Sequence, residues 1–370
     1  MVRRLQAPSD LWQVGQGART RVEENRQRVV QLIGATIGRP MATRRLLNQI
    51  LAGRLLRQRL KGRLAALPKM RIEHSTELSC RFDCILRRVP EGMQIVIPSL
   101  FSDAAWLDVG TLGAAYVYWL SRCPAEVREL HVTLSDGDRP TEGRFAPSTN
   151  LPHIVALPDP YYFRQRGFAQ WRQLAEASAV DWNQRRPEIV WRGATTGPGS
   201  NDPAIGLYRP DLATDRLRLC LALRNVPGTD VRFSKVVVPD IGIGYLDRFG
   251  LAGPPVPEDS WLNWKFAIDV DGYSNTWSNF IVRLHLGCCV LKVASGRGYR
   301  QWYYGRLRPW EHYVPVSADL SDLMDRIEWV RSNEREAAAI ARRGQEFART
   351  LDWETVEAEA VALIAANWNR

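Results

Sequence analysis

From about Glu73 onward, short apolar runs alternate with helix-length segments, and this alternation restricts the chain to a parallel α/β architecture. Met93–Ile97, Leu130–Leu134 and His153–Leu157 read as buried strands, with a helix over Trp106–Leu120 between the first two. After a linker-like stretch at Pro158–Arg166, a second alternation begins. It runs Glu188–Trp191 (strand), Asp215–Asn225 (helix), Val231–Phe233 and Phe266–Val270 (strands), Thr276–Leu286 (helix), Cys289–Val293 and His312–Val316 (strands), and Leu320–Arg331 (helix). Two helices, Glu334–Thr350 and Trp353–Asn367, close the chain, and there is no internal repeat. Two such halves in 370 residues predict two Rossmann-like domains with a cleft between them.

Charge is distributed unevenly. Residues 1–71 hold 16 Lys and Arg against three acids, so this segment alone exceeds the whole chain's net charge of +10. Within it, Leu46, Leu47, Ile50, Leu51, Leu55, Leu56, Leu60 and Leu64 fall at helical spacing, and Thr43 is placed to cap a helix running to about Leu67. A basic, leucine-rich helix either docks on the domain with a solvated charged face or attaches to an anionic membrane surface. Nucleic acid is not expected, because no aromatics are interleaved for base stacking. No apolar signal region follows Arg3 and Arg4, and the longest apolar stretch, around Leu107–Leu120, is too short and interrupted to span a bilayer. Cys80, Cys84, Cys123, Cys220, Cys288 and Cys289 do not form two CxxC pairs, so no structural zinc is expected and all six are read as reduced thiols.

In parallel sheets, ligands bind beyond the carboxyl ends of strands, which directs attention to the loops after Leu134, Trp191, Val270 and Val293. The loop Trp191-Arg192-Gly193-Ala194-Thr195-Thr196-Gly197 offers a guanidinium, glycine-freed backbone N–H groups and two hydroxyls, a set suited to a diphosphate. Alone it is also an ordinary glycine-rich turn. The loop Asp269-Val270-Asp271-Gly272-Tyr273-Ser274-Asn275-Thr276-Trp277 hands a strand over to a helix. Ser274, Asn275 and Thr276 are plausible caps, and Asp271 can accept from sugar or ribose hydroxyls.

The segments Lys265–Gly272, Gly287–Lys292, Gln301-Trp-Tyr-Tyr304, Leu307-Arg-Pro-Trp-Glu-His-Tyr-Val-Pro-Val316 and Asp319-Leu-Ser-Asp-Leu323 stand in this order, with Trp191-Arg192-Gly193 upstream. Together they closely resemble glycosyltransferase family 90, over roughly residues 130–350 and nearer its bacterial members than the animal protein O-glucosyltransferases. The resemblance implies a GT-B-like fold: two facing Rossmann-like domains, here with a basic helical N-terminal extension. The boundaries expected are 1–71 for the extension, 72–165 for an acceptor-side domain, 166–350 for a nucleotide-sugar-binding domain and 351–370 for a C-terminal helix.

The resemblance also implies inversion at the anomeric carbon, no metal and no cofactor, a UDP-sugar being co-substrate. The family's general base lies in an Asp-x-Pro element. Asp138 of Asp138-Arg139-Pro140 matches it, with Asp136 the neighbouring carboxylate that stays in contention. Arg192, Gly193, Ala194, Thr195, Thr196 and Arg216 are expected around the diphosphate. Asp271, Gly272, Tyr273, Ser274, Asn275 and Trp277 are expected around nucleoside or sugar. Many members carry Trp-Arg-Phe-Lys after the Asp-Gly loop, whereas here Trp277 precedes Ser278-Asn279-Phe280, and the nearest cation on that helix is Arg283. Arg192 is therefore the favoured phosphate ligand. The donor implied is UDP-glucose, with UDP-xylose the runner-up. The acceptor implied is a lipopolysaccharide, capsular glycan or protein hydroxyl, and the site of action the cytoplasmic side, peripheral on the inner membrane face. The competing reading is a membrane- or nucleic-acid-binding protein with a degenerate transferase domain. His312, Trp302, Tyr303, Tyr304 and Trp310 read as structural residues.

Overall fold

The computed structural model describes residues 41–99, 106–237 and 241–369, so most of the basic N-terminal segment lies outside the described residues. Eleven strands and eleven α-helices are described. The first half comprises α1 (Met41–Leu60), β1 (Lys69–Ser75), β2 (Asp83–Val89), β3 (Gly92–Pro98), α2 (Trp106–Arg122), β4 (Glu129–Thr133), β5 (Phe145–Ala146), β6 (Val155–Ala156), α3 (Pro160–Arg164) and α4 (Ala169–Ala177). The second comprises β7 (Arg186–Ala194), α5 (Pro203–Tyr208), α6 (Asp215–Leu223), β8 (Thr229–Lys235), α7 (Ile243–Asp247), β9 (Trp264–Asp269), α8 (Asn279–His285), β10 (Cys289–Val293), β11 (Val314–Val316), α9 (Leu323–Ser332), α10 (Glu334–Arg349) and α11 (Trp353–Asn367).

The strands form two sheets. The second is wholly parallel, in the order β11-β10-β9-β7-β8. Its strands alternate between two cores. Ile189, Trp191, Phe266, Ile268 and Leu291 pack on one face, while Val190, Ala267 and Val290 pack on the other. Burial on both faces is what a parallel sheet requires.

The first sheet departs from the expected all-parallel plan. Its order is β1-β3-β2-β4-β5-β6, and β2 runs antiparallel to both β3 and β4. The reason is the connection: only Pro90 and Glu91 separate β2 from β3. Two residues close a hairpin, but a parallel return needs a crossover of a dozen or more. Strand β1 begins at Lys69, inside the segment expected to be extension, and pairs in parallel with β3, Ile72 opposite Ile95.

Helix α1 extends from Met41 with Thr43 inside it, and it ends at Leu60, short of the expected Leu67, where Gly62 turns left-handed at φ +73. Ala52, Leu56 and Leu60 are buried in the first core with Val109, Leu112 and Val117 of α2, so α1 docks on the domain. Leu46 and Ile50 are exposed. The stretch expected to be linker contains α3, nucleated by Asp159, whose side chain accepts from Tyr161 N and Tyr162 N ahead of a Pro at the first turn. The last helix returns to the first half: Ala360 and Ile364 join the first core, and Glu357 accepts from Tyr118 Oη and Arg122 Nε. Among the described residues no helix is long and apolar enough to cross a membrane, and no two cysteines are bonded.

Candidate active site

In chain order the second sheet reads 2-1-3-4-5, so its direction of winding reverses between β7 and β9. At such a switch point the two following loops diverge and leave a crevice. The loops that flank it are Ala194–Gly197 after β7 and Val270–Trp277 after β9, both singled out by their sequence.

Arg216, near the start of α6, braces them together. Thr214 caps this helix through Leu217 N, which fixes where Arg216 projects. Its Nη1 donates to Ala194 O at 3.0 Å and Thr196 Oγ1 at 2.6 Å, and its Nε to Asp271 O at 3.1 Å. The guanidinium also lies 5.8 Å from the Trp191 ring. Gly272 permits this closeness, since a Cβ there would stand 2.8 Å from Thr196 Oγ1 and 3.1 Å from Arg216 Nη2.

Beneath the crevice lies a buried ion pair. Lys292 Nζ donates to Asp269 Oδ2 at 2.7 Å, and Asp269 Oδ1 accepts from Thr276 Oγ1 at 2.6 Å. Burial opposes the lysine's charge, but Asp269 and Asp271 outweigh it and hold its pKa above the ordinary value. Asp271 is 5 % exposed, and neither carboxylate oxygen makes a well-formed hydrogen bond among the described residues, though Ser295 and Asn275 lie close enough to favour its charged form. Burial raises its pKa, Asp269 adds to the rise, and Lys292 opposes it. A buried carboxylate with free lone pairs is an acceptor ready for hydroxyl donors.

The acidic turn after β4 reaches the same place. Ser135 Oγ holds the turn by accepting from Gly137 N. Gly137, at φ +83, lies so close to Ser148 O that a Cβ would overlap it. Ser148 Oγ in turn donates to Asn275 Oδ1 at 2.6 Å, and Asn275 Nδ2 donates to Tyr299 O at 3.2 Å. Thr149 and Arg300 exchange backbone hydrogen bonds beside this contact. Asp138 sits near enough to Tyr299 to raise its phenol pKa, behind the larger effect of burial. Asp138 is also 3.5 Å from Arg139 Nε. Asp136 is exposed by residue area, yet desolvation of its carboxyl by the surrounding protein pushes it up to about 6, Asp138 adding to the rise and Arg139 opposing it.

Several expected ligands have other partners. Arg192 projects away from the Trp191 side of β7 and is held by Asp230 Oδ2 at 2.6 Å, Asp230 O, Trp191 O and Pro254 O. Strand alternation is the cause: Trp191 faces the core, so its neighbour cannot. Arg192 thus braces β7 against β8, while Arg216 lies between the two crevice loops. Arg283 donates to Glu258 Oε2 at 2.7 Å and stacks 3.7 Å from the Trp261 ring, so it is committed elsewhere. Thr195 Oγ1 accepts from Val237 N and supports the loop from outside, and Gly193 carries the register shift against β8. Ser274, Asn275 and Thr276 do not cap α8, which begins at Asn279. Tyr273 is partly exposed, and Trp277 stacks on Tyr161 at 6.1 Å. His312 Nδ1 faces Arg308 N at 3.1 Å, a structural role.

One functional candidate was missed. Arg297, in the loop after β10, donates to Gly272 O at 2.6 Å with its guanidinium 5.2 Å from the Tyr299 ring. The signal available was its place just beyond Val293, a strand end already marked for attention.

The second sheet has a doubly wound parallel topology, with these loops at its switch point. The glycosyl transferase family 90 profile matches residues 168–365, more than half of the chain, and the chain belongs to this family. It is 36 % identical over 191 residues to Uncharacterized protein 035R of Invertebrate iridescent virus 3, covering 47 % of this chain and 16 % of that one. It is 36 % identical over 103 residues to Protein O-glucosyltransferase 2 of Danio rerio, covering 27 % of this chain and 20 % of that one. The chain thus spans a fifth or less of the length of these relatives. A solved structure of Anabaena Alr3699/HepE in complex with UDP-glucose overlaps 54 % of this chain and 52 % of that one at 11 % identity, with a TM-score of 0.33, too low to align residues.

Proposed function

We propose that this chain is an inverting, metal-independent glycosyltransferase of GT-B type. It moves a sugar, glucose in the first instance and xylose in the second, from a UDP-sugar to a hydroxyl of a lipopolysaccharide, capsular glycan or protein. The observation that carries the proposal is the juxtaposition of the β7/β9 switch-point crevice with the Asp136–Asp138 turn, tied by Ser148 and Asn275.

In the proposed reaction the UDP diphosphate lies over the Ala194–Gly197 and Val270–Asn275 loops. Arg216 and Arg297 supply positive charge there, and Asp271 accepts from ribose or sugar hydroxyls. Asp138 takes the proton from the acceptor hydroxyl. The acceptor oxygen bonds to the anomeric carbon from the face opposite the diphosphate. The bond from that carbon to the diphosphate oxygen breaks, its electron pair leaving with UDP, and the anomeric configuration inverts. Both Asp269 oxygens are already taken by Lys292 and Thr276, so Asp269 and Asp271 do not present a metal-binding pair, which supports a metal-independent reading.

Calorimetric titration with UDP, UDP-glucose and UDP-xylose, followed by a donor-hydrolysis assay with and without EDTA, tests it. Tight UDP binding and EDTA-resistant turnover are expected. Absence of nucleotide binding would leave the degenerate-domain reading standing.

A further inference from the structure

Four arginines gather where α1 meets the α3 loop. Arg63 Nη1 donates to Phe163 O at 2.8 Å and Nη2 to Arg164 O at 2.7 Å, while its guanidinium lies 4.5 Å from the Phe163 ring. This pins the end of α1 to residues 163–164. Arg59 lies in the last turn of α1, and Arg63 follows in the turn beyond Leu60. Arg164 lies 4.7 Å from the Tyr161 ring, and Arg166 follows in a left-handed backbone conformation, φ 48, continued by Gly167 and Phe168. Such a conformation is uncommon for a residue with a side chain.

Among the described residues none of the four makes an ion pair. Of the nearby acids, Glu357 is engaged by Tyr118 and Arg122, Asp159 by the α3 amides and Asp352 by Thr355, while Glu354 lines a surface cavity with Arg166 without forming an ion pair. The arginines oppose one another. Burial first, then Arg164 and Arg63, lower Arg59 to about 10, and burial with Arg166 lowers Arg63. Arg59 and Arg164 donate no side-chain hydrogen bond within the described structure, so their forks are open. The patch adjoins the β9 loop, because the Tyr161 ring beneath Arg164 stacks on Trp277.

We propose that Arg59, Arg63, Arg164 and Arg166 form a binding site for phosphate esters, separate from the UDP crevice and reached past Tyr161 and Trp277. Guanidinium forks match phosphate oxygens in geometry and charge, and several around one point favour a multiply charged group. The placement fits an acceptor carrying phosphate, and this last step rests on the transferase reading; the phosphate site itself does not. The phosphate is either free on a soluble molecule or borne by a lipid, and the two are separable.

The test uses the full chain at low salt, and each titration is repeated on Arg216→Ala so that the contribution of the crevice can be told apart. Inorganic pyrophosphate is titrated by calorimetry, and phosphatidylglycerol vesicles are compared with phosphatidylcholine vesicles by flotation. Arg59→Gln and Arg164→Gln should weaken binding about tenfold, while Arg335→Gln, on exposed α10, should leave it unchanged. Loss in the pyrophosphate arm identifies a soluble phosphate, and loss in the vesicle arm alone identifies a lipid headgroup. The same substitutions should hold or raise the melting temperature by removing repulsion, whereas a merely structural pair of arginines would lower it. Wild type that binds neither probe, or equal loss in Arg335→Gln, overturns the proposal. Because the comparison is among arginine variants, it stands or falls independently of whether UDP binds.

Discussion

Ser148 donates from Oγ to Asn275 Oδ1 at 2.6 Å, and both side chains are buried. This one contact joins the acidic turn of the first sheet to the loop after β9 of the second. Gly137 rests on the backbone of Ser148, and Asn275 reaches on to Tyr299. A shift of either partner therefore moves Asp136 and Asp138 relative to the crevice. Ser148→Ala leaves Asn275 Oδ1 without its donor in a buried place, which should destabilise the fold by about 1–3 kcal/mol. Transfer should fall further than donor affinity, since the turn loses its reference. Urea unfolding and paired kcat and UDP-affinity measurements check this; unchanged kcat would mean the contact does not position the turn.

Arg192 and Arg216 should separate cleanly. Arg216→Ala removes the brace between Thr196 and Asp271 O and the positive charge at the crevice, so UDP affinity should drop about tenfold or more. Arg192→Ala leaves Asp230 without its buried partner and should cost about 1–3 kcal/mol of stability, with UDP affinity within about twofold of wild type. Calorimetry on both variants decides it. A large affinity loss in Arg192→Ala alone would restore the assignment drawn from the sequence.

Arg192 shows what a sequence exposes and what it hides. The strands of the second sheet were visible because each is a short, dense apolar run; Cys289–Val293 was placed to the residue. Their ends marked the crevice loops, since site position follows from chain direction alone. Side-chain direction is a different matter. Arg192 looked like a phosphate ligand through its neighbours Gly193 and Thr196, but Trp191 takes the core side and sends Arg192 toward Asp230. Period-two alternation could have warned of this; nothing local could have named Asp230, 38 positions away. Arg297 was invisible for a related reason: its importance lies in a contact with Gly272 O, 25 positions away. The β2–β3 hairpin hid behind Pro90 and Glu91 because β2, with Asp83, Arg87 and Arg88 among its apolar residues, lacks the dense apolar run that marks β3.

The buried pair Lys292–Asp269 makes a stability prediction independent of function. Removing one partner strands a charge in the interior, so Asp269→Asn or Lys292→Met should cost about 3–5 kcal/mol. The double variant should recover part of that loss, because this pair is then gone while Asp271 stays buried without Lys292. A double-mutant cycle in urea measures it. Additive losses would mean the two groups do not compensate each other.

The acidic turn gives the last prediction, in which pH and mechanism meet. Asp136 has its pKa raised to about 6 from an ordinary value of 3.8. The folded state thus holds the proton more tightly than the unfolded chain. The stabilisation from that proton is fully present below about pH 4 and is lost as pH rises through 6. Melting temperatures of wild type and Asp136→Asn should therefore diverge above pH 6 in favour of the variant and converge toward pH 4. Asp138 contributes to the rise, so Asp138→Asn should move the Asp136 titration downward, a shift that carboxyl NMR resonances report directly. For catalysis the two carboxylates should part. Asp138→Asn keeps size and hydrogen bonding but cannot accept the acceptor's proton, so it should slow transfer by roughly a factor of 100 or more while UDP binding stays near wild type. Asp136→Asn should keep most of kcat and alter mainly the acid limb of the pH–rate profile, where the charge beside Asp138 normally appears as pH passes 6. The reverse pattern, a dead Asp136→Asn and an active Asp138→Asn, would move the base two residues along the turn. Full activity in both variants would remove the turn from the mechanism, leaving the crevice to bind nucleotide without this partner.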